Sequence, residues 1–383
     1  MKKKILLYQQ VYLTISMTFI YRQLKGVSKK FDIFVGANKV ENINIFPYNK
    51  IVGKSKKTVE KMITRCLKKI ESKYTLLSAS QQKYFNKVIS ENEIELIHAH
   101  FGPAGLEMLP IAENKKVPLL VTFHGYDASE LLKDKIYSKH ISSLFNYAHV
   151  ITVSQNMMNE LIPYGLRTER SYVHYIGVPV SEFEFEEKEN LFEKYHLKKE
   201  ITFLQVSNFV EKKGHIYTIE AFEQLVLTYP RAKLILAGDG LLKNKIEEVV
   251  KKKGLQNSVV FVGKVVKEEV QQLMKSADVF VHHSITAKNG DKEGIPTVLM
   301  EAMAVGLTVV STNHAGIPEL IEDGENGFLV DEKDVKNYAK KMVEVLSTDN
   351  KIRRNARKII VEKFNMNKQN SELERIYSEI LND

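Results

Sequence analysis

Residues Asp291 to Gly306 read DKEGIPTVLMEAMAVG, and this stretch decides how the chain is understood. Pro296 suits the first turn of a helix, Thr297 to Ala304 continue it with good helix formers, and Gly306 is placed to stop it. Glu293, Gly294 and Ile295 therefore stand just before a helix N-terminus. Free backbone N–H groups and the positive end of the helix dipole make that point a phosphate site, and Gly294 lets a ligand approach the backbone closely. Glu301 follows roughly 8 Å into the helix, at a rise of 1.5 Å per residue. A carboxylate at each end brackets an elongated ligand. A sugar nucleotide fits, with its diphosphate over the helix start at Gly294 to Thr297, its sugar hydroxyls toward Glu293 and its ribose hydroxyls toward Glu301.

Outward from this motif the chain alternates short apolar runs with helical patterns, which predicts an α/β architecture with mainly parallel sheets. The first series of predicted strands is Lys4 to Tyr8, Asp32 to Gly36, Glu95 to His98, Leu119 to Phe123, Val150 to Val153 and Tyr172 to Ile176. A second series begins afresh with Ile201 to Val206, Lys233 to Ala237, Val259 to Val262, Val279 to His282, Thr308 to Ser311 and Gly327 to Val330. Gly177-Val178-Pro179 and the acidic stretch from Glu182 to Glu193 separate them. The expected organisation is two Rossmann-like, doubly wound domains facing each other across a cleft. Residues 1–178 and 199–365 form the domains, 179–198 the linker, and 366–383 a C-terminal helix that packs back on the first domain. Ligands of such sheets sit at the carboxyl ends of the strands.

The 383 residues, 44% hydrophobic and 27% charged, are those of an ordinary globular protein with room for two cores. One cysteine, Cys66, excludes an internal disulfide framework and a Cys-rich zinc site. The N-terminal apolar run breaks at Tyr8, Gln9 and Gln10 without a small-residue cleavage site, so it reads as a strand, and no stretch approaches the ~18 apolar residues of a membrane span. A cytoplasmic protein is expected. Residues 1–180 hold 26 basic and 14 acidic side chains (+12), leaving 30 and 33 (−3) for the remainder of a chain whose net charge is +9. The first half therefore suits an anionic partner or simply a lysine-rich, solubilising surface. Lys56 to Lys73 reads as an amphipathic helix with apolar Val59, Met62, Ile63, Cys66, Leu67 and Ile70. Lys61, Arg65, Lys68 and Lys69 on its other faces suit an anionic bilayer surface, although the same stripe also fits a helix packed on its own sheet. No nucleic-acid-binding motif is present.

The residues around the opening motif resemble the family 4 retaining glycosyltransferases of the GT-B fold, whose hallmark E-x7-E is matched by Glu293 and Glu301. Also similar are Glu211-Lys212-Lys213-Gly214-His215, LILAGDG ending at Gly240, Phe261-Val262-Gly263 and HAGIPELIEDGENGFLV from His314. HAHFG from His98, TFHGYDAS from Thr122, Ser16-Met17-Thr18-Phe19-Ile20 with Gln23, and TAKNGDKEG from Thr286 resemble the exopolysaccharide and colanic-acid-type members.

That resemblance implies an enzyme that transfers a hexose or N-acetylhexosamine from a nucleotide sugar, UDP-linked or GDP-linked, to a lipid-linked or cell-surface glycan at the inner membrane face. Lys213 is implied to hold the diphosphate, with Asn208, Gly263, Glu293, Gly294, Ile295, Pro296, Thr297 and Glu301 completing the sugar-donor site. Asn208 stands where the family usually has arginine, so another cation, Lys212 or Lys288, is expected to compensate. His124, with Lys213 and Glu293, is implied to act at the reacting centre, and Ser16, Thr18, Tyr126 and Asp127 to meet the acceptor. His98 and His100 share a strand face, but further metal ligands are not evident, and the chain contains no D-x-D. No cofactor or metal is expected. A GT-B phosphorylase, a sugar-nucleotide epimerase or a non-catalytic subunit of a transferase complex remain the alternatives.

Overall fold

The computed structural model describes residues 1–14, 17–53, 77–183 and 200–383. The chain divides into two units, Met1–Gly177 with Met366–Asp383, and Val178–Asn365. The first carries a parallel seven-stranded sheet of β1 (Lys4–Tyr12), β2 (Asp32–Val40), β3 (Ile51–Gly53), β4 (Leu96–His100), β5 (Leu119–Phe123), β6 (His149–Thr152) and β7 (Ser171–Val173), in the order β3-β2-β1-β4-β5-β6-β7. The second carries a parallel six-stranded sheet of β8 (Thr202–Val206), β9 (Lys233–Ala237), β10 (Val259–Gly263), β11 (Val279–Val281), β12 (Thr308–Thr312) and β13 (Phe328–Val330), in the order β10-β9-β8-β11-β12-β13. Every residue of β4, β5 and β12 is buried, as parallel strands covered on both faces require.

Both strand orders reverse once, between β1 and β4 and between β8 and β11. At such a reversal the loops leave neighbouring strands toward opposite faces and open a crevice at the carboxyl ends. The loops after β8 and β11 are those that contain Lys213 and Glu293.

Several strands differ from the sequence expectation: β2 runs past Gly36 to Val40, and β7 spans Ser171–Val173 rather than Tyr172 to Ile176. β1 does not stop at Tyr8 but runs through Gln9 and Gln10 to Tyr12. Gln9 is only 2% exposed, so its polarity did not mark a strand end: the sheet register with β2 continues past it. β3 was not anticipated, because three residues at a sheet edge carry no readable alternation.

The Met366–Ile380 helix belongs to the first unit, where Leu373, Ile376, Tyr377 and Ile380 pack into the core formed by Ile5, Leu7, Ile20 and Leu24. Each such buried aliphatic side chain contributes about 1.5–3 kcal/mol relative to exposure, which fastens this helix to the sheet despite its distance in sequence. Among the described residues no helix is long and apolar enough to cross a membrane.

Candidate functional site

In the second unit the segment after β8 is built to hold a lysine. Gln205 on β8 donates from Nε2 to the Lys213 carbonyl (2.9 Å), fixing the single 3-10 turn Glu211–Lys213. Gly214 ends the turn at φ +59°, and a Cβ there would fall 1.8 Å from the His283 carbonyl oxygen. Only glycine fits. His215 then opens the helix His215–Thr228, its ring stacked on Phe209 at 4.1 Å and its Nε2 3.1 Å from Ser207 Oγ. Burial, and then the neighbouring Lys213 ammonium, push His215 down to about 3, so it adds no charge.

Lys213 Nζ lies 2.6 Å from Glu293 Oε1, with the side chains 16% and 9% exposed. Burial alone would raise the Glu293 carboxyl, but the ammonium groups of Lys213 and Lys212 outweigh it and hold the group at about 2. The same loop is tied a second time by Lys212 Nζ to Asp291 at 2.9 Å.

The Glu293 backbone is held from the opposite side. Its N–H donates to His314 Nε2 (3.1 Å), so the His314 proton resides on Nδ1 and is donated to Glu332 Oε1 at 2.6 Å. Glu332 also accepts the Thr286 N–H (2.8 Å), and the Gly316 N–H donates to the Gly294 carbonyl (3.2 Å). These bonds correct one expectation: the Glu293 N–H is not free for a phosphate. Those of Gly294, Ile295, Thr297 and Val298 have no partner among the described residues, and the helix Thr297–Ala304 has no side-chain cap. Pro296 is also corrected. It is the residue before the helix, at φ −60° and ψ 120°, rather than part of the first turn; the ring fixes that φ, and this extended conformation is an ordinary one for proline. Gly306, at φ +78°, follows the helix end as expected.

Glu301 sits in the second turn of that helix and is partly exposed. Asn208 is exposed just after β8, and Gly263 ends β10 with its carbonyl accepting the Gly238 N–H at 2.7 Å. Of the two candidate replacements for the usual arginine, Lys212 is engaged by Asp291, and Lys288 is exposed.

The first unit places His124 just beyond β5, half-buried between the rings of Phe101 (4.5 Å) and Phe19 (5.2 Å). Burial, followed by His100 and His174, pushes its pKa far down, so the ring is neutral. Tyr126 lies next to Phe101 at 5.5 Å, and Thr18 is exposed at the start of the helix Thr18–Val27. Asp127 does not fit the acceptor role expected of it. It is fully buried, and its carboxylate accepts the N–H groups of Gly102, His124 and Gly125 at 2.9–3.0 Å, so it shapes the His124 loop from within. Ser16, Lys61, Arg65, Lys68 and Lys69 lie outside the described residues. No group of three or more His, Cys, Asp or Glu suited to a metal ion occurs among the described residues.

Sequence reasoning missed Gln205, His314 and Glu332 as the holders of Lys213 and Glu293. His314 had a signal, since it begins the HAGIPEL string, but Glu332 had none.

Residues 187–360 match the family described as Glycosyl transferases group 1, and residues 67–182 match Glycosyltransferase Family 4. The chain is 31% identical to the colanic acid biosynthesis glycosyltransferase WcaL of Escherichia coli (strain K12), covering 79% of this chain and 74% of WcaL. It is 34% identical to the amylovoran biosynthesis glycosyltransferase AmsK of Erwinia amylovora, over 64% of this chain and 60% of AmsK. Among solved structures, Anabaena HepE in complex with UDP superposes with a TM-score of 0.80 at 21% identity, covering 98% of this chain and all of that one. Sucrose-phosphate synthase from Thermosynechococcus elongatus gives 0.77 at 17%, covering 99% of each. These likenesses establish the two parallel-sheet units as a GT-B fold.

Proposed function

Because the chain belongs to family 4 of the glycosyltransferases, we propose that it transfers a sugar from a UDP-sugar to a glycan acceptor in polysaccharide biosynthesis, with retention of anomeric configuration and without a metal. The observation that carries this reading is the Lys213–Glu293 pair at 2.6 Å, set beside the uncapped start of the Thr297–Ala304 helix. Without ligand the two side chains neutralise each other. A diphosphate arriving at the unpartnered N–H groups competes for the Lys213 ammonium, and Glu293 is then released to accept sugar hydroxyls. Binding of the nucleotide part and of the sugar part are thereby coupled.

In the reaction, the bond from the sugar's anomeric carbon to the phosphate oxygen breaks as the acceptor hydroxyl oxygen bonds to that carbon on the same face. The acceptor proton passes to the departing phosphate. Charge accumulates on the diphosphate, and Lys213 with the helix start stabilises it, the work that a D-x-D-bound metal performs elsewhere. The retaining stereochemistry, the lipid-linked acceptor and a peripheral position at the inner membrane face rest on the family resemblance and on the basic Lys56 to Lys73 pattern. UDP is favoured over GDP because HepE is described in complex with UDP and with UDP-glucose.

The test is incubation of the protein with UDP- and GDP-sugars in EDTA. Slow release of UDP, and an α-linked product from an α-linked sugar donor once an acceptor is supplied, are expected. Loss of activity in EDTA with rescue by manganese would overturn the metal-free mechanism. Phosphate-dependent cleavage without any nucleotide would instead make the protein a phosphorylase.

Glu301→Gln should weaken UDP binding by about 1.5–3 kcal/mol, the worth of a hydrogen bond to a charged group. Calorimetry on the folded variant checks it, and unchanged affinity would remove Glu301 from the ribose.

A further inference from the structure

β11 alternates its side chains between two layers. Val279 and Val281 join the core made with the helices His215–Thr228 and Val335–Glu344, so Phe280 and His282 face the opposite layer, where the helix Thr297–Ala304 packs on β12. His282 is the first residue past β11 and keeps to that face, its ring inclined 14° to that of Phe280 at 6.4 Å. Its backbone is fixed: the N–H donates to the Val310 carbonyl (3.0 Å), and the carbonyl accepts from Ser311 Oγ (2.7 Å). The side chain is 0% exposed, yet Nδ1 and Nε2 are both without a partner, and among the described residues no other histidine has two such nitrogens. The next residue makes the contrast. His283 turns to the first layer, its ring 4.5 Å from Tyr338 and its Nε2 accepting the Lys333 N–H at 2.9 Å.

Burial, followed by the Lys213 ammonium, pushes the His282 pKa far down, against an opposite pull from Glu293, and His215 and His314 add to the lowering, so the ring is neutral. A neutral imidazole carries one N–H and one lone pair. Because neither nitrogen is committed, an N–H is left over in whichever tautomer the ring adopts. A buried donor without an acceptor is costly and rare. The carboxylate whose charge acts on this ring is that of Glu293, itself buried just before the helix of the same layer. Glu293 has the complementary need. Lys213 balances its charge at 2.6 Å, and once a diphosphate draws that ammonium away, a carboxylate only 9% exposed is left without its cation. That is strongly unfavourable unless another donor takes its place. The two oxygens have lone pairs enough for a protein donor on one side and sugar hydroxyls on the other.

We infer that His282 is a positioning residue for Glu293: when Lys213 turns to the diphosphate, the His282 ring gives its N–H to the Glu293 carboxylate, so that the buried charge keeps a partner and stays aimed at the sugar. The inference rests on the reading that Lys213 holds the diphosphate and Glu293 the sugar. It adds the residue that lets this pair separate. His282 acts wholly through Glu293.

Two double-mutant cycles on the full chain test it. In urea unfolding without ligand, His282→Leu should change the unfolding constant less than about threefold in the wild type, where Lys213 satisfies Glu293. In Lys213→Met, where the carboxylate turns to His282, the same substitution should raise that constant about tenfold or more, the worth of a hydrogen bond to a charged group. In calorimetry, His282→Leu should weaken UDP binding about tenfold, but no more than about twofold in Glu293→Gln, which has no buried charge to keep. His282→Gln, whose amide retains an N–H donor, should hold UDP affinity within about threefold of wild type, a rescue that a packing role would not give. His282→Met replaces the leucine variant in both cycles if the latter does not fold. Additive effects in either cycle overturn the inference. If the wild type binds no UDP, the functional reading fails, and the unfolding cycle alone decides whether His282 partners Glu293.

Discussion

Lys213→Met is expected to destabilise the second unit by about 3 kcal/mol at neutral pH and to lower turnover roughly a hundredfold or more, because one side chain serves both stability and chemistry. The stability loss comes from Glu293, whose carboxylate is 9% exposed and would remain charged with its 2.6 Å partner gone. The pH dependence gives the sign. In the wild type the Glu293 carboxyl lies at about 2 against an ordinary value of 4.5. Its contribution is therefore fully present above 4.5 and is lost as pH falls toward 2. In the variant only Lys212 and His282 are left to oppose burial, so the carboxyl rises from about 2, and the cost present at neutral pH is relieved by acid. The gap between variant and wild type should narrow from pH 7 to pH 4 in urea unfolding. Lys213→Met/Glu293→Gln should recover most of the stability and none of the turnover, since the leaving diphosphate still lacks its cation. Equal stability of Lys213→Met and wild type at pH 7 would show that the pair is solvated and contributes little.

Gly214→Ala should cost about 3 kcal/mol, combining the strain of a left-handed alanine with a backbone collision that no side-chain rotation relieves. The added Cβ would meet the His283 carbonyl oxygen at 1.8 Å, so either the Lys213 turn or the segment after β11 must move, and UDP affinity should fall with stability. Gly254→Ala is the control. Gly254 has a similar φ of +69° but nothing within 4 Å of the added carbon, so only the conformational strain of about 1 kcal/mol applies. Equal costs for the two substitutions, by urea unfolding, would mean that the close approach to His283 is not rigid.

The residues from Asp291 to Gly306 were legible because a helix announces itself locally, through proline before it, helix formers within it and glycine after it. Most strands were legible for the same reason, as apolar runs that only a buried parallel sheet accommodates. Gln9 and Asp127 were not legible, for different reasons. A glutamine carries no local sign that it lies inside β1, and a family resemblance that assigns Asp127 to the acceptor does not show that three backbone N–H groups consume its carboxylate.

By itself the sequence determined the α/β class, a helix over Thr297 to Ala304 with free N–H groups at its start, and the presence of glutamates at 293 and 301. Only the tertiary structure decided that these belong together. The order β10-β9-β8-β11-β12-β13 puts β8 beside β11, so loops eighty residues apart pair Lys213 with Glu293 and Lys212 with Asp291. It likewise sets β13 beside β12, which lets Glu332 orient His314 against the Glu293 backbone. The physical reason is that helix and turn signals are carried by neighbours in the chain, while strand order is chosen by the packing of whole apolar faces, and the ion pairs at the strand ends follow from that choice.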